Sequence, residues 1–113
     1  MAKPKSERRP EVLRKVENAR INLRMAIALS DYSETSAAQK GGMSNNVLGK
    51  FCRGETDITL ANLLSACELL GVPISLIVSD HQISPARIRL AKLIDNIDER
   101  DLEAFIAAEK GGA

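Results

Sequence analysis

The chain has 113 residues and a formal net charge of +1; 44% of its residues are hydrophobic but only 3% are aromatic. That length holds one domain with a short extension, and an aliphatic composition suits packed helices better than a β-sandwich, which draws on aromatic and β-branched side chains. No apolar run reaches the roughly 18 residues that a membrane span needs, and with no leader or lipidation pattern the expected compartment is the cytoplasm. The two cysteines, Cys52 and Cys67, lack metal-ligand spacing and any disulfide framework, so they read as small buried residues.

The charge is unevenly placed. Residues 1–24 carry a net +5, residues 25–54 a net +1, residues 55–83 a net −4 and residues 84–113 a net −1. Basic charge gathered in the first half points to a polyanion on one side of the molecule.

"MAKPKSERRP" has two prolines and nothing to bury. Residues 1–11 therefore read as a flexible basic arm carrying Lys3, Lys5, Arg8 and Arg9. From Glu11 onward Val12, Val16, Ala19, Leu23 and Ile27 recur at spacings of three and four, predicting an amphipathic helix that ends near Leu29, with Arg20 and Arg24 as surface charges. "SDYS" breaks it, and Ser33 is placed to cap a short second helix over 34–40 that Gly41 and Gly42 stop. Ser44 reads as the cap of a third helix over 44–53, closed by Gly54. Thr59 caps a strongly apolar fourth, "LANLLSACELL", which Gly71 and Pro73 end. "PISLIVS" predicts one more helical turn, packing Ile74, Leu76 and Ile77 inward. The last third opens with Ser84 as cap and Pro85 at the first helical position, and "ERDLEAFIAAEK" continues it, as one bent helix or as a helical hairpin.

Two short helices joined by a glycine turn outline a helix-turn-helix. Ala38, four residues before Gly42, projects only a methyl where the next helix must cross. Gly42 supplies the left-handed residue of the turn. Met43, Leu48 and Phe51 are spaced to point into the core, which leaves Asn45, Asn46, Val47, Gly49 and Lys50 outside. Amides and a glycine make a poor helix surface in water, since Gly alone costs about 1 kcal/mol relative to Ala.

With "TSAAQKGGMSNNVLGKFCRG" followed by "TLANLLSACELLGVPISLIV", the sequence resembles the lambda-repressor-like (Xre/Cro/C1) helix-turn-helix family over residues 16–78. The resemblance implies an all-α, five-helix DNA-binding domain over 12–80, with residues 84–110 as a C-terminal helical extension suited to dimerisation. It also implies that the third helix lies in the major groove of double-stranded DNA. Asn45 and Asn46 then suit adenine N6 and N7, Lys50 suits guanine O6 and N7, and Val47 suits a thymine methyl. Backbone contacts fall to Ser33, Thr35, Ser44 and Arg53, and to Lys3, Lys5, Arg8 and Arg9 of an arm wrapped around the duplex.

The chain departs from the family at two places. Glu34 stands where a phosphate-clamping Gln is common; its charge repels a phosphate and leaves Ser33, Thr35 or Ser36 to make that contact. Gly41 replaces a larger apolar residue, which implies a looser turn. The plainer readings are cap residues for the two asparagines, solvated charges for Lys50 and Arg53, and a solubilising tail for the arm.

His81, the sole histidine, sits in a loop without a nucleophile, so no catalytic residue, metal or cofactor is expected. The expectation is a dimeric transcriptional repressor on a pseudo-palindromic operator. The alternatives are an antitoxin-type module that holds a protein partner and autoregulates, a restriction–modification controller, or an activator.

Overall fold

The computed structural model describes residues 8–111, and every regular element among them is a helix. In order these are α1 (Pro10–Leu29), α2 (Glu34–Lys40), α3 (Val47–Cys52), α4 (Leu60–Leu70), α5 (Ile74–Ile77), α6 (Pro85–Asp95) and α7 (Glu99–Gly111). Pro10 and Glu11, placed in the arm by sequence, are instead the first turn of α1. Proline has no N–H to lose at that position, its fixed φ already suits a helix, and Glu11 favours the positive end of the helix dipole.

Local bonding sets most of the other boundaries. Ser33 and Ser36 close a capping box on α2: each hydroxyl accepts from the other's backbone N–H, at 3.0 and 2.8 Å. Thr59 Oγ1 accepts from Asn62 N–H at 3.1 Å to start α4, which ends at Gly71 with φ 67°, a left-handed conformation that glycine takes without steric penalty.

The core gathers α1 to α5 around Leu23, Leu48 and Ile77, each wholly buried, with Ala37, Ala38 and Ala66 allowing close helix crossings. Burying a side chain such as Leu23 stabilises the fold by about 1.5–3 kcal/mol. Two asparagines of α1 hold α5 in place. Buried Asn22 donates through Nδ2 to the carbonyls of Ile77 (3.0 Å) and Ser79 (3.2 Å), and Asn18 donates to that of Val78 (3.2 Å). These amides satisfy carbonyls that a four-residue helix leaves open at its end.

The C-terminal segment is different. It forms two helices, separated at residues 96–98, and neither contains a buried residue. Ile83 (buried) and Ile88 (half-buried) anchor its start to the domain. The radius of gyration is 16.4 Å, against the ~13 Å of a compact chain of about 100 residues.

Candidate nucleic-acid interface

The α2–α3 turn is built from three residues. Gly42 has φ 77°, and Met43 N–H donates to the Ala38 carbonyl at 2.8 Å, so the chain reverses directly over a buried alanine. Gly41 does not loosen this turn. A Cβ there would stand 2.7 Å from the Met43 Cε, so the methionine methyl occupies the space that a larger residue at 41 would take.

α3 begins later than the sequence implies. Ser44 does not cap it: the helix starts at Val47, with Asn46 at the N-cap position and no side-chain cap bond. Ser44, Asn45 and Asn46 are therefore exposed turn residues leading into the helix. Neither asparagine carboxamide has a hydrogen-bond partner among the described residues, and the Lys50 ammonium beside them is exposed and unpaired. Leu48 and Phe51 pin the opposite face of the helix into the core.

Two residues expected outside turn inward. Val47 is half-buried against the core, and Gly49 is buried. A Cβ on Gly49 would lie 3.0 Å from Arg53 Nη1 and 3.5 Å from Glu34 Oε1. The close approach that this glycine allows is thus internal, to the charged pair between the start of α2 and the end of α3.

That pair bears on the departure at Glu34. Arg53 Nη1 lies 3.9 Å from the Glu34 carboxylate, and Arg53 Nε donates to Glu55 Oε2 at 2.8 Å. The guanidinium offsets both carboxylates, so the negative charge at position 34 is not left facing outward alone. Ser33 and Thr35 are exposed at the same end of α2, with the Ser33 hydroxyl already engaged in its capping box. Arg8 is half-buried, Arg9 is exposed with its guanidinium 3.9 Å from Glu11, and Lys3 and Lys5 lie outside the described residues.

Arg20 corrects the sequence reading most sharply. It is no surface charge: it is 8% exposed, and its guanidinium donates to the Phe51 carbonyl and, at 3.0 Å, to that of Thr56. It lies 4.6 Å from the centre of the Phe51 ring and 3.5 Å from Asp57. A charge buried this deeply persists because it is paired and hydrogen-bonded, and here it ties α1 to the end of α3 and to the following loop. The exposed Arg24 adds a longer bond, 3.4 Å, to the Cys52 carbonyl.

Sequence reasoning also missed a cleft of about 330 Å³ between α3 and the start of α4, where Asn46, Val47 and Lys50 face Thr56, Thr59 and Asn62. Its signal was the run of polar residues flanking the α4 cap. Burial pushes the Cys52 thiol up to about 11, with the Glu34 carboxylate adding to the effect, and burial alone pushes Cys67 to about 11. Both thiols are therefore protonated and unreactive near neutral pH. No group of three or more His, Cys, Asp or Glu residues among those described is placed to hold a metal ion, and no described helix is long and apolar enough to cross a membrane.

Among curated proteins and solved structures, none matches the chain significantly. A family model does match: helix-turn-helix, over residues 23–77, from the middle of α1 to the end of α5. That segment holds the turn at Gly42, the buried Leu48 and Phe51, and the exposed lead into α3, and it is a helix-turn-helix domain of the Xre/Cro/C1 type, the kind that DNA-binding regulators carry.

Proposed function

We propose that the chain is a sequence-specific transcriptional repressor that acts in the cytoplasm as two copies on a pseudo-palindromic operator. One observation carries the reading: three unpartnered polar groups, on Asn45, Asn46 and Lys50, stand together at the start of a helix whose other face Leu48 and Phe51 hold rigid. Paired donors and acceptors on an inflexible element are what base edges in the major groove require, each good contact being worth about 1–3 kcal/mol of discrimination. Val47 shows only part of its side chain, so its share is a single methyl contact at the cleft. Ser33, Thr35, Ser44, Arg53 and the arm residues Lys3, Lys5, Arg8 and Arg9 supply backbone contacts, with Arg53 exchanging a carboxylate for a phosphate.

The test is a salt-dependent titration on DNA flanking the chain's own gene, comparing wild type with Asn45→Ala/Lys50→Ala. Specific affinity falls to the level of random DNA in the variant, and the salt slope changes by about one charge or less. A wild type without sequence preference overturns the reading.

A further inference from the structure

The C-terminal pair carries two apolar stripes that the chain itself leaves uncovered. On α6, Leu90, Leu93 and Ile94, continued by Ile97, recur at helical spacing along one side, and Leu90 and Leu93 are 57% and 58% exposed. The opposite side of α6 is engaged: Ile88 packs on the core, and the Lys92 ammonium lies beside Gly71 at the end of α4. On α7, Leu102, Phe105 and Ile106 form the second stripe, with Phe105 67% exposed.

The charges beside the two stripes are of opposite sign. Helical geometry places Arg87 on one flank of the α6 stripe and Arg89 on the other. It places Asp101 on one flank of the α7 stripe, Glu99, Glu103 and the opposing charge of Lys110 on the other, and Glu109 at the end of the stripe itself, so the surround is acidic on balance. None of Arg87, Arg89, Asp101 and Glu103 has an ion-pair partner among the described residues. Two α6 stripes face to face would set arginine against arginine, and two α7 stripes would set carboxylate against carboxylate. Only α6 against α7 matches both apolar contact and charge.

We propose that a second copy of this chain covers both stripes, α6 of each copy seating on α7 of the other around a twofold axis. The pairing deepens and rests on the two-copy reading above, and it makes the contact reciprocal, as a twofold interface must be. The exposed apolar side chains amount to on the order of 500 Å² per chain, or about 1,000 Å² for two; the stems of the flanking arginines carry the total to the ~1,200 Å² where stable interfaces begin.

Sedimentation velocity of the full chain at micromolar concentration tests it. The wild type sediments as a dimer. Arg87→Glu/Arg89→Glu makes both stripes acidic, Asp101→Arg/Glu103→Arg makes both basic, and each variant alone associates at least about tenfold more weakly. An equal mixture of the two variants restores a dimer containing one of each, because every α6–α7 contact is again between opposite charges. Circular dichroism checks that these surface changes leave the helices intact. A monomeric wild type, variants that still dimerise alone, or a mixture that stays monomeric would each overturn the pairing. The DNA reading is judged separately: Asn45→Ala/Lys50→Ala keeps the dimer while losing specificity, whereas the charge-reversed monomers keep their preference for a single half-site over random DNA.

Discussion

The domain of α1 to α5 and the pair α6–α7 are both amphipathic helices with apolar residues at spacings of three and four, yet they use those residues in opposite ways. In the domain Leu23 and Leu48 are fully buried, and even the polar Arg20 and Asn22 are drawn inside among them. In the pair no residue is buried, and Phe105 is more exposed than covered. The difference lies in what faces each stripe. Five short helices around one centre supply one another with covering surface. The stripes of the last two helices find no such cover among the described residues. A polar side chain can go inside only where such a packed neighbourhood also provides carbonyls at the right distance, as Arg20 and Asn22 find.

Substitutions across the two regions sharpen or break this contrast. The largest effect is expected at Leu48: Leu48→Ala leaves a cavity under the third helix and destabilises the domain by about 2–5 kcal/mol in thermal or denaturant unfolding. Leu93→Ala removes the same atoms from α6. Measured well below micromolar concentration, it changes the unfolding free energy by no more than about 0.5 kcal/mol. Equal losses at the two sites would end the contrast.

Arginine provides the next comparison. Arg20→Ala takes the guanidinium donor from the Thr56 carbonyl and from that of Phe51, which keeps only the Gly54 N–H at 3.0 Å, and deprives Asp57 of a positive neighbour. It is expected to cost about 2–4 kcal/mol and to weaken DNA binding by loosening the end of α3. Arg87→Ala, on the exposed flank of α6, changes stability by less than about 0.5 kcal/mol under the same conditions.

The smallest effect is a matter of pH. Cys52 and Cys67 are both in the domain, and burial holds each thiol near 11 against an ordinary 9.0. The folded state keeps these protons longer than the unfolded one. Their contribution to stability is therefore complete below pH 9 and is lost as pH rises from 9 toward 11. Iodoacetamide at pH 8 is expected to modify the native chain slowly and the denatured chain fast. Rapid labelling of the native chain would mean that the domain is not closed around its thiols.

The sequence by itself determined the features whose causes lie within a few residues. Ser33, Thr59 and Ser84 bond to a backbone N–H three positions on, and Gly71 turns left-handed at the end of its own helix. Helix boundaries at those points could be read because cap and helix are neighbours in the chain. The helix-turn-helix was legible for the same reason: Ala38, Gly42, Leu48 and Phe51 act at fixed short offsets. Only the tertiary structure decided the rest. Arg20 meets its partners 31 and 36 residues away, and Asn22 meets Ile77 55 residues away, so neither burial had a local signal. α3 starts at Val47 rather than at Ser44, with no side-chain cap bond, and Gly49 is buried where the charged pair of Glu34 and Arg53 closes over that face. Periodicity states that a helix has an apolar side; which surface covers it depends on where the rest of the chain has gone, and short-range spacing holds no record of that.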